Sequence, residues 1–316
     1  MKTSKEIMRS LYQHEQSERI LPNADVVAGV IMPGDFFVGG PEGEDAWGVR
    51  WTNTGESLQY DGFTPTPGYS VLKDIRDWKD VVRFPDYSKI PLQPIFDMML
   101  KAVDRGTQLL NGVLLCGTFE RMHSLMGMEN AMCAFYDEPN AVHELFDAIT
   151  DSRIDALEHM IDIIKPDVIR INDDWGMNRN MFFPEALWRE FFKPIEKRYA
   201  EYIHGKGLPY EHHSCGYIAP LIEDAIEVGI DALNPWNLCN DIESLMKKHG
   251  KDIFFIGGLD GQLIDTPSTT EEEIRKEVRR AIDAYGSLGL YSPFYIATNQ
   301  EREMITIDEA YRYGLR

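Results

Sequence analysis

Residues 209–218 read PYEHHSCGYI. Side chains two apart on a strand share a face, so His213 and Cys215 point one way while His212 and Ser214 point the other. An imidazole nitrogen and a thiolate at that spacing suit zinc, which in catalytic sites takes three protein ligands and leaves a fourth position for substrate. The alternative is that both side chains simply pack inside a sheet. Glu211 shares their face, but four residues along a strand span about 13 Å, too far for Glu211 and Cys215 to meet on one ion. Glu211 therefore reads as a group behind the ligands or facing the substrate. A third ligand has two sources: Cys239, just past the next strand, or Asp174, past the strand VIRIND.

NDDWG at 172–176 puts two adjacent carboxylates where that strand ends. Adjacent residues cannot both face one cavity from a regular strand, so one of Asp173 and Asp174 is expected to cap the next helix or turn and the other to address the cavity. GTFERMHSL at 117–125 adds Glu120, Arg121 and His123, read either as site groups or as surface charges. Asp174, Asp173, His123 and Glu211 are thus the catalytic candidates. His213, Cys215 and Cys239 are the metal candidates, and Asn234, Trp236 and Tyr217, beside polar strand ends, are the candidates for holding a flat cofactor.

The elements that must position these residues alternate. Apolar runs such as NGVLLCGTF, PDVIRINDD, LPYEHHSC, IDALNP, DIFFIGG and LYSPFYIA are separated by amphipathic helical stretches, the pattern of a parallel sheet with helical crossovers. Polar residues cluster just past the strands, and no glycine-rich dinucleotide fingerprint follows the first one. Both features favour an α/β fold of the (β/α)8 barrel type over an open sheet. One unit is expected over 1–316, with βα repeats from 107 and an elaborated N-terminal region, 1–106, covering one mouth from Gly34 to Pro94.

Composition narrows the class. A formal charge of −20 and a pI near 4.8 disfavour nucleic acid and anionic membrane as partners. The four cysteines have no CxxC or framework spacing, and no apolar run approaches the ~20 residues that span a bilayer. A reduced, cytoplasmic setting is the expectation.

In wording and order, YDEPNAVHELFDAIT, NDDWG, PEALWREFFKPIEKR, HHSCG, APLIEDAIEVGIDALNPWN and GGLDGQLI resemble the uroporphyrinogen decarboxylase superfamily, from about Gly112 to Gly289. The earlier EDAWGVRW and DIRDWKDVVRFPD resemble its corrinoid-dependent methyltransferases, including the methyl-ether demethylating kind. The resemblance implies a distorted barrel and a corrinoid (cobalamin) acting as methyl acceptor on a separate corrinoid-binding protein. It also implies a small O-methylated donor and zinc. The arginine-rich N-terminal motif that holds porphyrinogen carboxylates in the true decarboxylases has no counterpart here, which disfavours that reaction. In the branch that methylates coenzyme M, the zinc ligands are an HxC pair and a later Cys. His213 and Cys215 match the pair, and Ala297, Thr298 and Asn299 stand where the later Cys would fall.

The expected function is methyl transfer from a small, aromatic methyl ether to Co(I) corrinoid. The alternatives are a methylcobamide:thiol transferase with a zinc-activated thiol, and a non-catalytic corrinoid- or tetrapyrrole-binding barrel.

Overall fold

The computed structural model describes residues 2–34, 42–53 and 63–315. Ten strands are present among them: β1 Val27–Ile31, β2 Glu42–Glu44, β3 Arg50–Asn53, β4 Phe63–Pro65, β5 Leu109–Leu114, β6 Val168–Asn172, β7 Tyr210–His213, β8 Ala232–Trp236, β9 Phe254–Gly258 and β10 Tyr291–Phe294. Seven form one curled sheet in the order β1-β5-β6-β7-β8-β9-β10, every pair parallel. β5, β8 and β9 are buried at every position, as strands covered on both faces must be, and for that reason they read as apolar runs.

The result is a distorted barrel, with the helices of the crossovers packed around it. Between the two edge strands stands the segment leading into β1 in place of an eighth strand: Ser292 Oγ, on β10, donates to the carbonyl of Leu21 at 2.5 Å.

The N-terminal helix Ser4–Tyr12 is fixed by a capping box in which Thr3 and Glu6 satisfy each other's backbone amides. Its Ile7, Met8, Leu11 and Tyr12 pack against Leu109, Val168, Ala232 and Phe254, all at the starts of strands. This helix closes the N-terminal end of the barrel, which leaves the C-terminal strand ends as the mouth.

Over the mouth lies the small antiparallel sheet β2-β3-β4. Part of the cover expected from Gly34 to Pro94 is therefore described; residues 35–41 and 54–62 of it lie outside the described residues. Asp45, buried in the turn after β2, holds this sheet down. It accepts from the amides of Trp47 at 2.9 Å and Val49 at 3.0 Å, from Trp51 Nε1 at 2.9 Å, and from the buried guanidinium of Arg121 at 2.6 Å. Trp47 in turn receives Arg121 and Arg153 on its ring, at 4.9 and 4.5 Å from the centroid. No helix among the described residues is long and apolar enough to cross a membrane.

Candidate active site

Strand register stacks the inward-facing residues in layers. Val113, Arg170, Glu211 and Ala232 pair in succession across four strands in one layer, and Asn172, His213 and Asn234 do so in the next. One step higher, past the strand ends, come Asp174 and Cys215. His212 faces outward as the two-residue period requires and stacks on Trp175 with centroids 3.7 Å apart.

Asp174, His213 and Cys215 converge: among the described residues they are the one group of His, Cys, Asp or Glu whose ligand atoms all lie within 4.8 Å of one another. His213 Nε2 is 3.7 Å from Cys215 Sγ and 4.0 Å from Asp174 Oδ1. The imidazole is set from behind. Asn234 uses Nδ2 to donate to Glu211, so its Oδ1 is the acceptor for His213 Nδ1 at 2.7 Å, and the Nε2 lone pair faces Cys215 and Asp174. Glu211 is itself fully buried and accepts from Tyr12 OH and from Asn111 Nδ2 at 3.1 Å. Burial, then the charge of Arg170, pushes His213 down to about 3, which keeps it in the neutral form that binds metals.

The neighbouring carboxylate does a different task. Asp173 accepts from the amides of Phe119 at 3.0 Å and Glu120 at 2.8 Å, and so covers the N-terminus of the helix Thr118–Met126. Asp174 instead turns to Cys215, accepting from its amide at 2.7 Å. Glu120 adds a third acid, and its carboxyl is pushed up by burial and then by the charges of Asp174 and Asp173. Burial, then Asp174 and Glu120, likewise raises the Cys215 thiol. A neutral imidazole, a thiol and a carboxylate beside a further acid make a donor set of the nitrogen, sulfur and oxygen types that zinc takes.

The loops carrying Asp174 and Cys215 touch backbone to backbone. Gly216, at φ +81°, lies so near Gly176 that a Cβ would meet its carbonyl carbon at 2.4 Å, so a side chain at either position would push Asp174 and Cys215 apart.

Two cavities meet at Cys215, Phe294 and Ile296. The inner one, about 450 Å³, is walled by Trp51, Phe63 and Pro65 of the small sheet and by Leu115 and Phe294, with Glu120, His123, Arg170 and Asn172 among its polar groups. Burial, then Arg121, lowers His123 to about 4, so its ring is neutral there. The outer groove, about 750 Å³, runs along Gly176, Trp236, Asn237, Cys239, Asp260 and Tyr295. NDDWG, HHSCG, NPWN and GGLD thus sit at one rim. Trp236 lines the groove and stacks on Phe255, Asn234 lies behind His213, and Tyr217 lines neither cavity. Cys239 lines the groove outside the convergent group, with Sγ 3.6 Å from Asn240 Nδ2.

Residues 62–296 match the family model described as uroporphyrinogen decarboxylase (URO-D). The chain belongs to this family. A search of curated protein sequences gives no match. Among solved structures, a methyltransferase from Methanosarcina mazei is similar in fold over 99% of both chains, with a TM-score of 0.70 at 16% identity. Dispersin B is much less similar, with a TM-score of 0.40 at 11% identity over 78% of this chain and 83% of that one.

For this uroporphyrinogen decarboxylase family member, sequence reasoning passed over Arg170, Asn172, Tyr12 and Asn111. The first two carried a signal, since stepping back by twos from Asp174 through VIRIND lands on both. Asn234→Ala should release the His213 ring and lower zinc affinity by about 10- to 100-fold, as loss of a ligand's hydrogen-bond partner does. Competition against a chromophoric chelator measures this; unchanged affinity would show that Asn234 does not orient the ligand.

Proposed function

We propose that the protein transfers a methyl group from a small O-methylated, aromatic donor to the Co(I) of a corrinoid presented by a separate corrinoid-binding protein. The observation that supports this reading is the place of Cys215, with His213 and Asp174, where an aromatic-walled chamber meets a wider groove. A flat ring fits among Trp51, Phe63 and Phe294 and would direct a methyl ether at that junction. The groove is the side from which a large, flat acceptor would approach. Met177, Leu238, Leu263 and Ile296, at or beside its rim, are exposed apolar side chains suited to a protein partner. The Methanosarcina mazei protein of like fold is a methyltransferase, in agreement with the reaction class.

The electron balance sets what the site must do. Cobalt supplies the pair of the new Co–C bond, and the C–O pair leaves with the donor oxygen, a poor leaving group that needs its developing charge met. His213, Cys215 and Asp174 would hold a zinc ion, which when bound supplies a Lewis acid for that oxygen. The chamber walls orient the ring and exclude water, and Glu211 through Asn234 keeps the His213 ring fixed.

Incubating the protein without oxygen with methoxylated aromatic compounds tests the proposal. We expect no donor consumption by the protein alone. Adding reduced cobalamin or its carrier should bring loss of the Co(I) absorbance and growth of methyl-Co(III). Transfer from methylcobalamin to a thiol would instead reverse the assignment, and inertness toward every methoxylated, thiol and amine donor would favour a binding role.

A further inference from the structure

At the floor of the inner chamber stands a guanidinium whose hydrogen-bonding capacity is only partly used. Arg170 lines the chamber with 22% of its side chain exposed. Its one acidic neighbour in the layer, Glu211, is 3.6 Å from Nη1, while Nε is buried and has no hydrogen-bond partner. Glu211 does not depend on Arg170 for satisfaction, since Tyr12, Asn111 and Asn234 already donate to it. The walls include the apolar and aromatic side chains of Trp51, Phe63, Pro65, Leu115 and Phe294. Glu120 is the one acid among the described residues that line the chamber. Arg170 is the one guanidinium or ammonium group among the described residues that line it.

We propose that Arg170 determines the specificity of the chamber by binding an anionic group of the carboxylate class at the end of the donor remote from its methyl ether. This rests on the reading of the chamber as the donor site. The depth agrees with it. Arg170 and Asn172 are successive inward positions, about 6.6 Å apart along the strand. His213 shares the level of Asn172, and the other two convergent side chains stand just above. One six-membered ring with substituents at opposite ends spans that drop. A planar guanidinium with free donors pairs with a carboxylate through two parallel hydrogen bonds, and a neutral amide or methyl group in its place would leave those donors buried and unmet.

The test compares 4-methoxybenzoate with 4-methoxybenzamide in the corrinoid assay, using wild type, Arg170→Met and Arg170→Lys, together with calorimetric binding of benzoate. Wild type should favour the acid by on the order of 10- to 100-fold in kcat/KM, the range for charged hydrogen bonds. The ratio should collapse toward one in Arg170→Met and recover in part in Arg170→Lys, and benzoate should bind wild type and lose at least about tenfold in the methionine variant. A wild type that treats acid and amide alike, or a preference that survives Arg170→Met, overturns the proposal, and the wild-type comparison needs no variant to fold. If neither ether is demethylated, the donor reading fails while benzoate binding still decides Arg170: no binding to wild type, or binding unaffected by Arg170→Met, overturns it.

Discussion

Cys215→Ala should abolish stoichiometric zinc and slow methyl transfer about 1,000-fold, equivalent to about 4 kcal/mol of transition-state stabilisation. The group that would hold the ion has three members, Asp174, His213 and Cys215, and Cys215 is the one soft donor among them. Without it, an imidazole and a carboxylate remain, a pair that leaves zinc largely to water. The loop itself should survive the change, because its geometry rests on the amide of Cys215 bonding Asp174, on Gly216 against Gly176, and on Asn237 Oδ1 accepting from the Gly216 amide at 2.8 Å. Metal analysis and single-turnover kinetics on one preparation check this. Full zinc content in the variant would remove Cys215 from the ligand set.

The second large effect concerns the cover of the chamber. Asp45→Ala should destabilise the protein by about 3–5 kcal/mol, the range found when one partner of a buried ion pair is removed. Arg121 and Asp45 have fully buried side chains, and Asp45 also serves two amides and the Trp51 indole. Denaturant unfolding measures the loss, and a change below 1 kcal/mol would contradict the role given to the pair. Donor turnover should fall as well, because Trp51 is both tied to Asp45 and a wall of the chamber.

The parallel strands were legible for a physical reason. Strands buried on both faces, such as β9 in DIFFIGG, must be apolar throughout, and in this fold the polar residues gather where those runs stop. The two-residue period also placed His213 and Cys215 on one face. Adjacent carboxylates were harder, since Asp173 and Asp174 differ only in strand phase. What separates them is the helix at Thr118, whose free amides lie over Asp173. That Asp174 and not Cys239 joins the convergent group depends on the path of the turn after Trp236, which no local periodicity encodes. Tyr12 and Asn111 reach Glu211 across 199 and 100 residues of chain, so their contribution behind His213 follows only from the curling of the sheet and the helix packed on its end.

The most direct test of the site is X-ray absorption at the zinc edge of the purified protein. One sulfur at about 2.3 Å, with the remaining ligands nitrogen or oxygen at about 2.0–2.2 Å, is the predicted result. Two or more sulfurs would bring Cys239 into the site in place of Asp174, and a protein that retains no zinc would contradict the metal centre altogether.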